Sequence, residues 1–336
     1  MKTAVFSSKS YDRERLTREL KQVADSGGNK IECTFLEVRL TPETAILARG
    51  HTVVCCFVHD ELGPEVIEIL AQHGVRHIAM RCAGYNNVDL RACRKCQITV
   101  SRVPAYSPYA VAEHAVGLIL ELNRKYSRAY NRVRDNNFSL DGLEGFDLHG
   151  KTVGVVGTGK IGVCFARIML GFGCRVVAFD IQENSELLAA GVCYMDLAGL
   201  FAESDIISLH CPLNEHTQHL INEKSIAGMK CGVMVINTSR GPLIDTGDII
   251  AAVKSGQVGY LGMDVYEEEA GVFFEDFSSR IIGDDQLMRL TTFPNVRITS
   301  HQAFFTHEAL DNIARTAVEN LVYQSRGEPG PNLVSF

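Results

Sequence analysis

Residues 151–180, KTVGVVGTGKIGVCFARIMLGFGCRVVAFD, constrain the fold of this chain more than any other segment. A continuous apolar run leads into Gly157, a helical run follows Gly162, and a second apolar run ends at Asp180. A strand, a glycine-rich turn, a helix and a second strand in this order form the dinucleotide-binding unit of doubly wound α/β proteins. The segment therefore predicts a parallel sheet with a ligand site at the glycine turn.

The residue types at this turn indicate which dinucleotide would bind. Gly157, Gly159 and Gly162 let the backbone and the start of the helix approach a pyrophosphate. Asp180 would accept hydrogen bonds from a ribose diol and would repel a 2′-phosphate, and the following IQENS contains no arginine to offset that charge. We therefore predict NAD rather than NADP as the cofactor. The alternative, a glycine turn beside a surface aspartate, is disfavoured by the strand–turn–helix context.

Strand-like and helical runs alternate along the rest of the chain as well. A first series runs from KTAVFSS to RHIAMRC, and a second series begins at Gly150. The second series contains six strand candidates, KTVGVVG, CRVVAFD, DIISLHC, GVMVINT, GYLGMDV and NVRITS, and the amphipathic HEALDNIARTAVENLVYQSRG closes the chain. This alternation predicts an α/β protein with two doubly wound parallel-sheet domains.

Composition narrows the classes of function. The chain has 336 residues and a net charge of −7, which argues against nucleic acid or an anionic membrane as the main partner. No apolar run approaches the length of about 20 residues that a membrane span needs. Eleven scattered cysteines fit free thiols in a reducing cytoplasm, and the pair Cys93 and Cys96 has no second pair of ligands, so no metal site is predicted.

A long helical stretch is predicted over residues 107–134, with an apolar first half and a basic second half. The basic residues could form a phosphate-binding patch, or they could be a solvated or subunit-facing helix end. The second interpretation is favoured because the run is isolated in an acidic chain. The residues concerned are Arg124, Lys125, Arg128, Arg132 and Arg134.

Charged side chains follow three strand candidates of the second series. VMVINTSRG leads to Arg240, YLGMDVYEEE contains Asp264 and ends in three adjacent glutamates, and VRITSHQAFFT contains His301. Ligands of open α/β sheets bind beyond the carboxyl ends of the strands. Taken singly, Arg240 could form a structural ion pair, the glutamates could be a solvated run, and His301 could be a core histidine.

Taken together with NADH, these groups describe one reaction. A guanidinium can hold a carboxylate with two hydrogen bonds, and a histidine can deliver a proton near neutral pH. A neighbouring carboxylate favours the imidazolium and orients the ring. The combination predicts hydride transfer to a carbonyl carbon beside an anchored carboxylate, which is the reduction of a 2-oxo acid.

The sequence resembles the D-specific 2-hydroxyacid dehydrogenases, and among them the NAD-dependent fermentative D-lactate dehydrogenases. The resemblance covers nearly the whole chain in the expected order. It rests on RCAGYNNVDL (81–90), VPAYSPYAVAEHA (103–115), GVVGTGKIG (154–162), SLHCPL (208–213), NTSRGPLID (237–245), GMDVYEEE (262–269) and SHQAFFT (300–306).

The resemblance implies roles for individual residues. The catalytic residues would be Arg240, which anchors the carboxylate, Glu269, the third glutamate of its run, and His301, the acid/base. Tyr106 and the backbone of Ala83 and Gly84 would contact the substrate. The positions implied around the NAD are Lys160, Ile161, Asp180, Cys211, Pro212, Thr238 and Asp264.

The resemblance also implies an architecture that the pattern of strands does not show. The outer, substrate-binding domain would be discontinuous, made of residues 1–101 and 300–336. Residues 102–299 would form the NAD-binding domain. Residues 107–134 would include an inter-subunit helix of a homodimer or homotetramer.

The substrate is expected to be a small 2-oxo acid. Tyr106 and Phe304 would crowd the pocket, which fits pyruvate and predicts its reversible reduction to D-lactate. Two alternatives stay open: a related enzyme for phenylpyruvate or 2-oxoisocaproate, and an NAD-sensing corepressor of the C-terminal-binding-protein type. Residues 273–279, FFEDFSS, also match the lactate type, and the sequence gives no physical account of their role.

Overall fold

The structure, a computed structural model, describes residues 1–335. The chain divides into two compact units: Met1–Ser107 with the chain from Phe305 onward, and Pro108–Phe304. The predicted boundaries, after residue 101 and before residue 300, lie a few residues earlier in the chain. The structural division therefore places His301 in the second unit. The assignment of substrate binding to the first unit stays a prediction.

The first unit is built on a five-stranded parallel sheet. Its elements in chain order are β1 (Lys2–Val5), α1 (Ser10–Asp25), β2 (Glu32–Phe35), β3 (Val53–Cys56), α2 (Pro64–Gln72), β4 (His77–Met80), α3 (Leu90–Lys95) and β5 (Thr99–Ser101), with a 3₁₀ turn at Ala45–Ala48. The strand order is β2-β1-β3-β4-β5.

The second unit is built on a seven-stranded parallel sheet in the order β12-β11-β10-β9-β6-β7-β8. Its elements are α4 (Pro108–Arg124), α5 (Tyr126–Arg134), β6 (Thr152–Val156), α6 (Lys160–Gly171), β7 (Arg175–Phe179), α7 (Ser185–Ala189), β8 (Cys193–Tyr194), α8 (Leu197–Glu203), β9 (Ile206–Leu209), α9 (Glu223–Ala227), β10 (Val233–Asn237), α10 (Thr246–Ser255), β11 (Val258–Met263), α11 (Asp285–Thr292) and β12 (Val296–Ile298). The last helix, α12 (His307–Arg326), returns to the first unit.

The prediction of two parallel α/β sheets is confirmed. Each of the six strand candidates of the second series contains a strand, and the closing amphipathic segment forms α12. Sequence reasoning missed β5 and β8, which have only three and two residues. A strand of two or three residues shows little pattern of its own, although β12, also of three residues, was predicted.

The central strand β10 shows why its sequence is continuously apolar. Val233 and Val235 join one hydrophobic core cluster, and Met234 and Ile236 join another. Successive side chains of a strand point to opposite faces of the sheet, so the two clusters cover the two faces. Because both faces of β10 are covered, a ligand can reach this strand only at its end, and Arg240 follows that end.

The stretch 107–134 is helical as predicted, but the prediction of a single helix is wrong. The stretch forms two helices, because Lys125 adopts a left-handed backbone conformation with φ of 53° and separates α4 from α5. Glu121 contributes to the break, since its carboxylate accepts a hydrogen bond from the backbone N–H of Ser127 at 3.1 Å. Helix α5 has no buried residue within the unit.

Three further observations concern only the described residues. None of the helices within residues 1–335 is long and apolar enough to cross a membrane. The same part of the chain contains no group of three or more His, Cys, Asp or Glu side chains that could hold a metal ion. The eleven cysteines are free thiols, and Cys93 of the C-x-x-C pair is buried in α3.

Candidate active site

The three residues predicted to act in catalysis follow three neighbouring strands. Arg240 follows β10, Glu269 follows β11, and His301 follows β12, and these strands are adjacent and parallel. The carboxyl ends of parallel strands meet at the same edge of a sheet, which is where open α/β sheets bind their ligands. All three residues belong to the second unit.

Glu269 and His301 form a direct pair. Nδ1 of His301 lies 2.8 Å from Oε1 of Glu269, and the backbone N–H of Tyr266 donates to Oε2 of the same carboxylate at 3.1 Å. The side chains are 17% and 24% exposed, so the pair is largely shielded but can still be reached. The ring of Phe274 lies against the imidazole, with centroids 5.8 Å apart. With Nδ1 engaged, Nε2 is the nitrogen that can exchange a proton with a ligand.

The three adjacent glutamates have three different environments. Glu267 pairs with Nε2 of His219 at 2.5 Å, Glu268 is exposed, and Glu269 pairs with His301. The residue pattern by itself could not distinguish these carboxylates, because all three stand in one acidic run after the same strand; the family resemblance singled out Glu269.

The loop that carries His301 is held by Asp264. The backbone N–H groups of Gln302 and Ala303 each donate to the Asp264 carboxylate at 2.8 Å, and the Thr299 hydroxyl donates at 2.5 Å. His301 itself has φ of 53°, and its N–H donates to the carbonyl of Asp264 at 2.7 Å. Residues other than glycine rarely adopt this φ, so these contacts are needed to hold the His301 backbone in place.

Asp264 was predicted to lie near the NAD, and the structure shows what engages its side chain. The carboxylate is fully buried, and Nε2 of His114 lies 3.4 Å from Oδ1. Burial by itself would raise the pKa of Asp264, but hydrogen bonds from His114, Thr299 and the backbone hold that pKa below its usual value. A contact with the cofactor stays a prediction. Sequence reasoning missed His114, whose place in a predicted helix gave no signal.

Arg240 sits in a turn that packs against the glutamate segment. Asn237 Nδ2 donates to the carbonyl of Arg240 at 2.8 Å, and Nη1 of Arg240 donates to the carbonyl of Ser239 at 2.7 Å. A Cβ at Gly241 would lie 2.0 Å from the carbonyl oxygen of Tyr266, so the next position requires glycine. Among residues 1–335, no carboxylate lies within ion-pair distance of the Arg240 guanidinium. The interpretation as a structural ion pair is therefore disfavoured, and the cation remains available to an anionic ligand.

The glycine turn has the shape that a dinucleotide needs. A Cβ at Gly162 would lie 2.0 Å from the carbonyl oxygen of Gly157, which itself has φ of 95°. A Cβ at Gly159, in contrast, would meet no atom within 4 Å. Glycine is thus needed at 157 and 162 because backbone segments pass too close there for a Cβ. Gly159 instead leaves open space beside the start of α6. Lys160 and Ile161 are the first two residues of that helix.

Asp180 is held at the end of β7 by the glycine turn. Its Oδ2 accepts hydrogen bonds from the N–H of Thr158 at 2.5 Å and from the Thr158 hydroxyl at 3.1 Å. The Tyr194 hydroxyl donates to Oγ1 of Thr158 at 2.9 Å and accepts from the N–H of Asn184 at 2.9 Å. Sequence reasoning missed Tyr194, because β8 was not recognised.

The remaining positions predicted around the NAD adjoin this turn and the Arg240 turn. A Cβ at Gly157 would lie 2.6 Å from the backbone nitrogen of Cys211, and the Ser239 hydroxyl donates to the Cys211 carbonyl at 2.7 Å. Burial raises the pKa of the Cys211 thiol to about 11, so the thiol stays neutral near pH 7. Pro212 follows in the same loop.

Thr238 provides an independent indication of a ligand. Its hydroxyl is buried, and no hydrogen-bond partner is present for it among the described residues. A buried polar atom without a partner is costly, and a bound ligand can supply one. The open space at Gly159, the carboxylate of Asp180 and the orphaned hydroxyl of Thr238 together fit an NAD molecule.

The predicted substrate-binding residues are divided between the units. Ala83, Gly84 and Tyr106 belong to the first unit and Phe304 to the second. The carbonyl of Ala83 accepts a hydrogen bond from Arg102 at 3.0 Å, and the carbonyl of Tyr106 accepts one from Asn312 at 2.7 Å. Phe304 is 7% exposed. Substrate contact by these four residues stays a prediction.

The segment 273–279 acquires a structural explanation. Phe273 is buried, with its ring centroid 6.5 Å from that of Tyr266, and Phe274 lies against the imidazole of His301. Phe273 therefore anchors the segment in the core, and Phe274 covers one side of the His301 imidazole.

Known proteins resemble this chain over nearly its full length. Residues 116–303 match the family model described as D-isomer specific 2-hydroxyacid dehydrogenase, NAD binding domain. A D-lactate dehydrogenase of Escherichia coli (strain K12) is 52% identical over 332 residues, which cover 99% of each chain. The apo-structure of D-lactate dehydrogenase from Escherichia coli matches with a TM-score of 0.89 at 48% identity, covering all of both chains.

A further solved structure contains ligands. The D-lactate dehydrogenase from Aquifex aeolicus, complexed with NAD and lactic acid, matches with a TM-score of 0.86 at 31% identity and covers 97% of this chain and 96% of that one. With the family model matching residues 116–303 and a relative 52% identical over nearly the full length, this chain belongs to the D-isomer specific 2-hydroxyacid dehydrogenases, and that segment is its NAD-binding domain.

Proposed function

We propose that this protein catalyses the NADH-dependent reduction of pyruvate to D-lactate and the reverse oxidation. The observation that carries the proposal is the 2.8 Å Glu269–His301 pair, which follows strands adjacent to the one that leads to Arg240 in an NAD-binding domain. D-lactate dehydrogenases are also prominent among the similar proteins, including the relative from Escherichia coli.

Each residue has one part in the proposed reaction. Arg240 holds the carboxylate of pyruvate through two hydrogen bonds and so fixes the neighbouring carbonyl group. NADH, when bound, supplies the hydride that the carbonyl carbon accepts. As the hydride forms the new C–H bond, the π electron pair of the carbonyl moves to oxygen, and His301 gives the proton on Nε2 to that oxygen to form the hydroxyl of lactate. Glu269 holds the ring at Nδ1 and so orients Nε2 for this proton transfer.

The site also supports a preference for NAD over NADP. The Asp180 carboxylate is fixed by Thr158 in the position where a strand end meets the glycine turn. There it accepts hydrogen bonds from a ribose diol and repels a 2′-phosphate.

For the substrate we propose contacts from Ala83, Gly84 and Tyr106, which lie in the first unit, and from Phe304, which lies in the second. The backbone of Ala83 and Gly84 would bind the carboxylate, and the two aromatic residues would limit the size of the side chain. This division gives the first unit the role of substrate domain.

We also propose that the protein is a cytoplasmic homodimer or homotetramer built on residues 107–134. Helix α5 exposes Tyr126, Tyr130 and Val133, and the following segment exposes Phe138 and Leu140, with exposed fractions from 52% to 80%. Such a concentration of apolar surface is typical of an interaction site. Light scattering after size-exclusion chromatography would measure the subunit number, and a monomer would contradict this part of the proposal.

The decisive experiment measures kcat/KM with NADH for pyruvate, 2-oxoisocaproate and phenylpyruvate, with chiral analysis of the product. The proposal expects pyruvate to have the highest value and to give D-lactate. A higher value for a bulky acid would instead assign the protein to the sister activity. Binding of NADH without turnover of any 2-oxo acid would favour the NAD-sensing alternative.

A further inference from the structure

A second network of histidine and carboxyl groups lies in the second unit, separate from the Glu269–His301 pair. Nε2 of His219 lies 2.5 Å from Oε1 of Glu267, and Nδ1 of His219 lies 3.4 Å from Oδ2 of Asp245. The other oxygen of Glu267 accepts hydrogen bonds from the hydroxyl and the N–H of Thr246, at 2.7 and 3.2 Å. The proposed reaction assigns no task to any of these four residues.

The backbone of His219 is held in an uncommon conformation. Its φ is 50°, close to the 53° of His301, and residues other than glycine rarely adopt this region because Cβ crowds the backbone. The N–H of His219 donates to the carbonyl of Pro242 at 2.8 Å, and its carbonyl accepts from Asn222 Nδ2 at 2.7 Å. Such conformations persist where the surrounding contacts hold them, and they cluster at functional sites.

These contacts join the two segments that carry the proposed catalytic groups. Pro242 lies two residues after Arg240, so the backbone of His219 holds the Arg240 turn. Glu267 lies two residues before Glu269, so the ring of His219 holds the glutamate segment. The two segments also touch directly, since Gly241 has no room for a Cβ beside the carbonyl of Tyr266.

We propose that His219 and Glu267 are positioning residues that set the placement of Glu269 relative to Arg240. Neither needs to contact the substrate. Their pair fixes the distance between the cation that anchors the carboxylate and the acid that orients His301. Small displacements of reacting groups reduce rates strongly, by up to about 10²-fold for a misplacement of about 1 Å. This inference rests on the proposed function, because it concerns the geometry of the same reaction.

The test compares His219→Ala, Glu267→Ala and the double variant with wild type. Glu268→Ala is the matched control, since Glu268 stands in the same run, carries the same charge and is exposed. Active sites are counted by NADH fluorescence titration, so that a smaller folded fraction does not count as a smaller kcat. The measurements are the Kd of NADH and the KM and kcat for pyruvate per NADH-binding site.

We expect each single variant to raise KM for pyruvate and lower kcat, with a combined loss in kcat/KM of about tenfold or more. The loss in the double variant should be smaller than the product of the two single-variant losses, because both changes remove the shared His219–Glu267 contact. The Kd of NADH should stay within about twofold of wild type, since Asp180 and the glycine turn lie on other strands. Glu268→Ala should behave as wild type.

Two results would overturn the inference. One is a kcat/KM per site in both single variants that equals that of Glu268→Ala, and the other is a loss confined to folded fraction and NADH affinity, as a purely structural pair would give. If an alanine variant does not fold, His219→Gln and Glu267→Gln replace it under the same criteria. Should wild type prefer another 2-oxo acid, the same comparison uses that acid, so failure of the proposed function and failure of this inference remain distinguishable.

Discussion

Nδ1 of His301 lies 2.8 Å from Oε1 of Glu269, and the second oxygen of that carboxylate is held by the backbone N–H of Tyr266. The carboxylate is therefore fixed at both oxygens, and the imidazole is fixed at one nitrogen. The loop on the other side of the histidine is pinned by the buried carboxylate of Asp264. This arrangement leaves one ring nitrogen, Nε2, for the proton exchange that we propose.

Replacing Glu269 by Gln should lower kcat for pyruvate reduction. The change keeps the shape of the side chain, but a neutral amide replaces the carboxylate that engages Nδ1 of His301 and accepts from the backbone N–H of Tyr266, so the imidazole is oriented less firmly. We expect kcat to fall by up to about 10²-fold, as for a misplaced reacting group, while the Kd of NADH changes little. The measurement is steady-state kinetics with pyruvate together with NADH titration, with Glu268→Gln as the control. A kcat for Glu269→Gln equal to that of Glu268→Gln would show that Glu269 does not orient His301.

Replacing His301 by Gln should reduce turnover in both directions. Loss of a general acid/base typically lowers a rate by about 10²- to 10⁴-fold. NADH binding should persist, because the glycine turn and Asp180 are unchanged. Steady-state kinetics with pyruvate and with D-lactate, together with NADH titration, would check this. A kcat within a factor of two of wild type would exclude His301 as the proton donor.

Replacing Arg240 by Lys should separate substrate binding from cofactor binding. Lysine keeps the charge but loses the planar fork that binds a carboxylate with two hydrogen bonds. We expect KM for pyruvate to rise sharply while the Kd of NADH changes little. An unaltered KM for pyruvate would show that the carboxylate is anchored elsewhere.

Replacing Tyr194 by Phe tests the cofactor specificity of the glycine turn. The hydroxyl of Tyr194 bridges Thr158 and Asn184, on the two sides of Asp180 in the chain. Without it, Asp180 should be held less firmly, so NADH binding should weaken by about tenfold or less, as one lost hydrogen bond implies. Asp180→Ala should weaken NADH binding further and reduce the preference over NADPH. Titration of both variants with NADH and NADPH gives the comparison, and an undiminished preference for NADH in Asp180→Ala would contradict the assigned role.

His77 should make the first unit sensitive to acid. Burial lowers the pKa of His77 from 6.5 to about 4, and its ring nitrogens lie 2.7 and 2.8 Å from the hydroxyls of Thr99 and Ser101. The unfolded chain takes up a proton at this residue below about pH 6.5, and the folded chain does so only below about pH 4. The free energy of unfolding should therefore fall as pH decreases through this range, by up to about 3 kcal/mol from this residue.

Urea unfolding of wild type and His77→Gln between pH 7 and pH 4 would check that contribution. The variant is expected to be less stable at pH 7 and to lose less stability on acidification. The exposed His216 provides a control through His216→Gln. If the free energy of unfolding falls equally with pH in wild type and in His77→Gln, His77 is not the source of the acid sensitivity.

Much of the fold follows from local sequence patterns. A run such as VMVIN of β10 is apolar at every position because both faces of the strand are buried, and that pattern can be read without a structure. The glycine turn at 157–162 is equally local, since its strand, turn and helix are contiguous in the chain. The same patterns predicted that Arg240, Asp264 and His301 follow strands, because a charge after an apolar run is visible in the sequence alone.

The tertiary structure decided which residues that are distant in the chain contact one another. Which of three adjacent glutamates meets His301 depends on how the segment after β11 turns, and that turn depends on Tyr266, Gly241 and the His219–Glu267 pair. Likewise, Tyr194 reaches Thr158 only because β8 lies beside β7 at the sheet edge. Periodicity records which side of an element is buried, whereas a hydrogen bond between residues tens of positions apart depends on sub-ångström placement by packing. For this reason the residue pattern determined the sheets and the residue types at their edge, the family resemblance singled out Glu269, and only the folded chain showed which imidazole each carboxylate contacts.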